Sequence, residues 1–208
     1  MPFNLFKFLF SDKKLSTQFL KSKVRPSGLL WLDMEMGGLN PTKQPILEVA
    51  MIVTNADLEA IDSYHSVVKQ PDSVIQNMEP EARELLTANG LLSKLHTGKD
   101  LKTVEGEMLG FLEKYFPKEP ARLAGNSVYC DLAFLKIWMP AFAARLNHRL
   151  LDVSAFKTYF QLAYGVEAKK VAPHLALEDI RASIEELKIY LKCFDTSKLR
   201  QLMRNFKS

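Results

Sequence analysis

The stretch that decides the fold is LLWLDMEMGGLNP, residues 29–41, in which a run of apolar residues leads into two acids. Side chains two residues apart on a β-strand point to the same face. Asp33 and Glu35 are therefore predicted to project together from the carboxyl end of a buried strand, where open α/β sheets bind ligands. Paired carboxylates repel each other unless a cation lies between them, and oxygen ligands favour Mg²⁺ or Mn²⁺. Taken alone, the pair also fits a strand that ends in solvated acids.

Length and composition indicate one globular domain. The chain has 208 residues, of which 47% are hydrophobic and 25% charged, and this fits one substantial α/β domain better than two. Cys130 and Cys193 lie far apart without metal-ligand spacing, which argues against a disulfide scaffold or a structural zinc site and favours a reducing compartment. The apolar residues 1–10 are too few to span a membrane.

Basic residues are concentrated at the two ends of the chain. Residues 1–25 contain six Lys and Arg against one Asp, and residues 196–208 contain four and no acid. We expect a basic extension over 1–27, one folded domain over 28–195 and a basic tail over 196–208. Such ends either guide an anionic ligand or only aid solubility. The expected location is the cytoplasm, with the mitochondrion as the alternative if the lysine-rich first segment is a transit peptide.

The order of predicted elements indicates an α/β fold. Strands over 29–34, 46–54 and 61–69 form a meander, with TNADLEA as the turn between the last two. Short strands follow near 121–126 and 149–153, and helices are predicted over 101–116, 131–138, 139–146 and 178–193, with further helices from Pro80 and from a cap at Ser154. Together these elements predict a mixed sheet of about five strands with helices on both faces.

Two later segments contain the acids and the histidine that a metal-dependent site would need. GNSVYCD (125–131) places Asp131 at the start of a helix, where an N-terminal capping acid is an equally good interpretation. PHLALED (173–179) places His174 in a loop and Asp179 in the first turn of the last helix. Taken singly, His174 fits a surface histidine and Asp179 fits another N-terminal capping acid.

The remaining acid and histidines have simpler interpretations. Asp152 is predicted to be a structural acid bonded to nearby backbone at the end of a strand. No partner is predicted for the other histidines, which are interpreted as surface residues: His65, His96 and His148.

In their order along the chain, these motifs resemble those of the DEDD-type 3′–5′ exonucleases with a histidine base, which have a ribonuclease H-like fold. The Asp-x-Glu motif matches Asp33 and Glu35, the second aspartate matches Asp131, and the His-x4-Asp motif matches His174 and Asp179. The stretches WLDMEMGGLNP, ILEVAMIVTNADLE, GNSVYCDLAFLKIWMP and HRLLDVSAFK narrow the resemblance to the oligoribonucleases, over about residues 28–193.

The resemblance carries expectations about chemistry and partners. The four carboxylates would hold two divalent cations, Mg²⁺ or Mn²⁺, for an in-line displacement. His174 would take the proton of the attacking water as general base. The family resemblance further implies a homodimer that degrades short single-stranded RNA, down to dinucleotides, to nucleoside 5′-monophosphates.

Three departures from the family pattern bear on the substrate. The family's tryptophan and histidine after the third strand correspond here to Glu81 and Leu86, so an aromatic platform worth roughly 1–3 kcal/mol per base is missing. The tyrosine before the LDVS stretch is His148. Gly37 replaces the usual threonine of the first motif and is predicted to loosen the loop before Leu39.

Leu39, Ser127 and Arg149 are the candidate substrate-binding residues. Leu39 matches a family leucine that wedges against a base, with an ordinary core residue as the alternative. Arg149 matches a family arginine and is a candidate phosphate clamp, with a solvated charge as the alternative.

Two other functions compete with the oligoribonuclease hypothesis. One is a DEDD-type exonuclease that acts on longer single-stranded DNA or RNA in proofreading or repair. It would cleave a longer DNA strand faster than an RNA dinucleotide. The other is a catalytically silent nucleic-acid-binding module, which the presence of all five motif residues opposes.

Overall fold

The centre of the fold is a five-stranded sheet in the order β3-β2-β1-β4-β5. A computed structural model of the chain describes residues 28–166 and 175–194. Strand β1 (Leu29–Met36) pairs antiparallel with β2 (Ile46–Thr54), which pairs antiparallel with β3 (Ala60–Val67). On the other side of β1, β4 (Leu123–Gly125) and β5 (Leu151–Asp152) continue the sheet in parallel. The predicted mixed sheet, with its first three strands in a meander, is confirmed.

Helices follow the meander and alternate with the last two strands. They are α1 (Asp72–Gln76), α2 (Pro80–Ala88), a 3₁₀ turn (Leu92–Thr97), α3 (Leu101–Tyr115), α4 (Tyr129–Trp138), α5 (Pro140–Ala143), α6 (Val153–Tyr164) and α7 (Ala176–Lys192). The sheet and these helices, as far as Leu191 in α7, belong to one compact unit. Within the described ranges, no helix combines the length and the apolar character needed to cross a bilayer.

The two faces of β1 have different roles. Leu30, Leu32 and Met34 are buried in the main hydrophobic core, together with residues of α3 and α4. Because side chains alternate along a strand, Asp33 and Glu35 project from the opposite face. All nine residues of β2 are buried, as expected for a central strand covered on both sides, and this explains why its sequence alternates poorly.

Two helix predictions are wrong in detail. Helix α6 is capped by Asp152, whose Oδ1 accepts the backbone N–H of Ser154 at 3.0 Å, so Ser154 is not the cap. The helix predicted over 139–146 ends at Ala143, because the chain then turns to form a parallel bridge between Leu146 and Ala121.

Several predictions fall outside the described residues or are left untested. His174 and both basic ends, 1–27 and 196–208, lie outside the described ranges. The proposed domain boundaries after residues 27 and 195 therefore stay predictions.

Candidate active site

Three carboxylates converge where β1 meets α7. Asp33 and Glu35 project from β1 and Asp179 from the first turn of α7, and one carboxylate oxygen from each lies within 4.8 Å of the others. Asp179 is buried, and the other two are half-buried. A concentration of negative charge in a partly dry site requires compensation, and an all-oxygen donor set is what a hard divalent cation prefers. These residues therefore fit a divalent-metal site.

Asp131 is a fourth carboxylate close to this group. It lies in the first turn of α4 and is buried. Burial raises its pKa well above the ordinary value of 3.8, and the negative charges of Asp33 and Glu35 raise the pKa further. Asp131 is not the N-cap of α4, which is Val128 without a side-chain capping bond, but it is an acid in the first turn of the helix. Asp131 lies close enough to Asp33 and Glu35 for their negative charges to raise its pKa.

Asp131 also completes the free edge of β1. Strand β4 pairs with β1 only at Leu30 and Trp31, and Leu30 donates its N–H to Arg122 O on that side. Since backbone N–H groups alternate in direction along a strand, the N–H of Met34 points to the same side, beyond the end of β4. The Asp131 carboxylate accepts this N–H, an interaction that lowers its pKa against the larger opposing causes.

The chain between β4 and α4 is closely fixed. A Cβ at Gly125 would lie 2.9 Å from the carbonyl oxygen of Leu32, so only glycine permits this approach. Ser127 has a φ of 50°, and its backbone N–H donates to Asp152 Oδ1 at 3.0 Å and to Ser154 Oγ at 2.9 Å. The prediction that Asp152 is a structural acid bonded to backbone is confirmed.

Asn126 joins this loop to the helix that carries Asp179, a connection that sequence reasoning missed. Its Nδ2 donates to Ser183 Oγ and to Glu186 Oε2, each at 2.9 Å, and its Oδ1 accepts from Ser154 Oγ at 3.1 Å. Ser183 and Glu186 are buried on α7, four and seven residues after Asp179 and thus on the same helix face. This polar spacing is the signal in the sequence that could have revealed the contact.

Replacing Asn126 with aspartate is expected to lower the free energy of unfolding by about 2–4 kcal/mol, since a donor is lost and a second carboxylate faces buried Glu186. Chemical denaturation of the variants Asn126→Asp and Glu186→Gln, and of the double variant, measures this change in the free energy of unfolding. The double variant is expected to recover part of the loss, because the new amide can donate to the new carboxylate. Additive losses in the double variant would contradict this account of the contact.

The candidate substrate-binding residues lie at the surface. Leu39 is 79% exposed, so the core alternative is wrong, and its backbone N–H donates to Glu79 Oε1 at 3.2 Å. Arg149 is exposed in the turn before β5, where its backbone N–H bonds to Asn147 Oδ1. Ser127 is fixed by the loop contacts given above. Substrate contacts for these three stay predictions.

Gly37 does not loosen the loop, contrary to the prediction. Its N–H donates to Pro45 O at 3.0 Å, and its carbonyl oxygen accepts the N–H of Glu79 at 2.9 Å. A Cβ at this position would lie 2.8 Å from Gln44 Oε1 and 3.2 Å from Met78 Cγ. Neighbouring side chains therefore occupy the space next to Gly37, and the loop is tightly held.

The departure at Glu81 and Leu86 lies on α2. Leu86 is 1% exposed and packs with Leu47, Leu91 and Leu95 in a second hydrophobic cluster. It is therefore unavailable to a substrate. Glu81 is exposed in the first turn of α2, so a carboxylate faces solvent where the family has its tryptophan.

One of the surface histidines has a partner that was not predicted. The Nε2 atom of His65, on β3, lies 2.6 Å from Oε1 of Glu48 on β2. The side chain of His65 is 44% exposed, whereas that of Glu48 is buried. His96 and His148 are exposed, as predicted.

Solved structures of exonuclease I have a similar fold. The chain aligns with exonuclease I of Methylocaldum szegediense at a TM-score of 0.59 and 17% identity, covering 80% of this chain and 40% of that one. It aligns with the zinc-bound complex of E. coli exonuclease I and single-stranded DNA at a TM-score of 0.61 and 14% identity, covering 87% and 43%. The chain thus spans less than half of these proteins, and at such identities the similarity shows the ribonuclease H-like fold alone.

Sequence comparison identifies the family. The RNase_T family model, described as Exonuclease, matches residues 30–187. The probable oligoribonuclease of Dictyostelium discoideum is 39% identical over 170 residues, 80% of this chain and 90% of that protein. The oligoribonuclease of Chromobacterium violaceum is 36% identical over 81% and 96% of the two chains, and the mitochondrial oligoribonuclease of Bos taurus is 35% identical over 78% and 71%.

The family model and the similar sequences together define a hydrolytic exonuclease that acts on nucleic acid. The chain belongs to the oligoribonuclease family of 3′–5′ exoribonucleases. The cluster of carboxylates agrees with the use of divalent metal by such an enzyme.

Proposed function

We propose that this chain removes nucleotides from the 3′ end of short RNA oligomers, down to dinucleotides, and releases nucleoside 5′-monophosphates. The observation that carries the proposal is the convergence of Asp33, Glu35 and Asp179, with buried Asp131 beside them. The similarity to oligoribonucleases over most of their length supports the choice of substrate.

The four carboxylates are proposed to hold two divalent cations, Mg²⁺ or Mn²⁺. Bound there, the cations supply positive charge that stabilises the attacking and leaving oxygens of the displacement. Asp33 and Glu35 on β1 provide a rigid platform, since β1 is paired along its length with β2. Asp131 and Asp179 approach from the first turns of two helices.

His174 is the proposed general base. Its ordinary pKa lies near neutrality, so the imidazole can accept a proton from water at physiological pH. In sequence it lies two residues before the start of α7 at Ala176 and five residues before Asp179. The base and a metal-binding carboxylate thus come from one short segment.

Leu39, Ser127 and Arg149 are proposed to bind the substrate. An exposed leucine next to the first motif offers an apolar surface to a base, and an exposed arginine offers a fork of donors to a phosphate. The proposed assembly is a homodimer. Apolar side chains exposed on α6 support it, namely Tyr159 at 54%, Leu162 at 85% and Tyr164 at 61%.

The proposed location is the cytoplasm, with the mitochondrion as the alternative. Similar proteins include both a bacterial oligoribonuclease and mitochondrial ones. Expression of the full chain with a fluorescent tag at its carboxyl end distinguishes the two locations.

A second candidate function is hydrolysis of longer single-stranded DNA or RNA. Glu81 and Leu86 favour it, because one presents an acid to solvent and the other is buried. Neither provides the aromatic surface that would hold a base of a very short substrate.

The deciding experiment compares an RNA dinucleotide with longer single strands of RNA and DNA, all labelled at the 5′ end, in Mn²⁺ or EDTA. We expect metal-dependent cleavage that is fastest on the dinucleotide and absent in Asp33→Ala. Cleavage of the longer strands alone would favour the second candidate, and cleavage that persists in EDTA would refute the metal-dependent mechanism.

A further inference from the structure

Glu48 is a buried carboxylate that the proposed mechanism does not use. It lies on β2 directly opposite Glu35 of β1, and residues opposite each other in an antiparallel pair project from the same face. Its side chain is therefore on the face of the sheet that carries Asp33 and Glu35. Only 3% of Glu48 is exposed, so its charge must be satisfied inside the protein.

Both carboxylate oxygens of Glu48 are bonded to groups on other elements. Oε1 accepts from His65 Nε2 at 2.6 Å, since a carboxylate offers no donor. Oε2 accepts the backbone N–H of Ala176 at 3.2 Å, across 128 residues of sequence. Because an unbonded buried carboxylate is costly, these two bonds fix the side chain between β3 and α7.

The bond to Ala176 reaches the start of the helix that completes the site. Ala176 is the first residue of α7, two residues after His174 and three before Asp179. The N–H groups in the first turn of a helix have no partner within the helix, and a carboxylate there is favoured by the helix dipole. Glu48 therefore caps α7 from a strand of the sheet.

We propose that Glu48 is a positioning residue of the active site. Through Ala176 it determines where the first turn of α7 presents Asp179 to Asp33 and Glu35. His65 holds the other oxygen of Glu48 and so keeps the carboxylate aimed at α7. This inference rests on the proposed function, because it concerns the same metal-binding residues.

Two substitutions of Glu48 separate its hydrogen bonds from its charge. Glu48→Ala removes both bonds, whereas Glu48→Gln keeps an oxygen for Ala176 and an amide for the other tautomer of His65. Glu105→Ala is the matched control, since Glu105 Oε1 accepts the backbone N–H of Phe142 at the start of α5. That contact lies on the other face of the sheet, with α3 and the main core.

The primary readout is Mn²⁺ affinity, measured by calorimetric titration of each full-length variant at a temperature where it is folded. Loss of a residue that orients metal ligands typically costs about 10–100-fold in affinity or activity. We expect such a loss in Mn²⁺ affinity and in kcat for Glu48→Ala, and near-normal values for Glu48→Gln. For Glu105→Ala we expect a lower melting temperature but unchanged Mn²⁺ affinity and kcat.

Two results would overturn the inference: normal Mn²⁺ affinity and kcat in Glu48→Ala, or an equal loss in Glu48→Gln. The value of kcat is measured on whichever RNA or DNA strand the wild-type protein cleaves. The comparison of the variants with the wild type therefore holds even if the proposed substrate is incorrect. The Mn²⁺ titration tests the positioning role independently of any activity. Failure of the proposed function would appear in the wild-type protein, and failure of this inference only in the variants.

Discussion

Replacing Asp131 with asparagine is expected to abolish hydrolysis and at the same time to stabilise the metal-free protein. The charged form of Asp131 is disfavoured by burial and by the negative charge of Asp33. Asparagine has almost the same shape, carries no charge and can still accept the N–H of Met34. We expect kcat to fall by about 10³-fold or more, and the melting temperature in EDTA to rise by several degrees.

The same cause gives the metal-free protein a defined pH dependence. The pKa of Asp131 is raised in the folded state, so the folded protein retains this proton at pH values where the unfolded chain has released it. The contribution of Asp131 to the stability of the folded state is complete below the ordinary carboxyl pKa. This contribution is lost as the pH rises through the raised pKa of the folded state. In Asp131→Asn this loss should be missing from the melting temperatures measured in EDTA.

Asp62 provides a control, because its pKa is shifted in the opposite direction to that of Asp131. Hydrogen bonds from Tyr115 and Lys114 lower its pKa to about 2, so its contribution is present above the ordinary carboxyl pKa and is lost as the pH falls towards 2. Asp62→Asn should therefore lower the melting temperature at neutral pH without affecting hydrolysis. A melting temperature that falls in Asp131→Asn under the same conditions would contradict the account of Asp131.

Replacing His174 with asparagine is expected to reduce kcat by about 10²–10⁴-fold, the range for loss of a general base. Substrate KM should change little, since the base acts on water. The wild-type kcat should fall below the pKa of His174, because only the neutral imidazole accepts a proton. In the variant this acidic limb of the pH profile should disappear.

The control for His174 is His96→Asn, which changes an exposed histidine outside the site. It should retain the wild-type kcat and its pH profile. An acidic limb that persists in His174→Asn would assign the titration to another group and remove His174 from the mechanism.

The parts of the fold that follow from short-range patterns were predictable. Asp33 and Glu35 share a face because strands alternate with a period of two, and this depends on neither the helices nor the loops. Asp179 was correctly placed in the first turn of its helix. Its approach to Asp33 and Glu35 could be expected only from the family resemblance, because nothing local brings residues so far apart in sequence together.

The errors came from contacts whose partners are distant or ambiguous in sequence. Two polar residues on either side of Val153, Asp152 and Ser154, are both good caps, and the choice depends on the bond that Asp152 also makes to Ser127. Gly37 seemed to imply a loose loop, yet Met78 fills the space beside it. The bond between Glu48 and Ala176 spans 128 residues, so no pattern within a segment could indicate it.

The N–H of Met34 at the free edge of β1 has a consequence for the evolution of this fold. Asp131 bonds that N–H, so the residue has a structural role in the sheet in addition to its proposed role in metal binding. A descendant that loses nuclease activity cannot simply exchange Asp131 for an apolar residue, because a buried N–H would then lack an acceptor. Inactive descendants should accordingly have drifted to asparagine or serine at position 131.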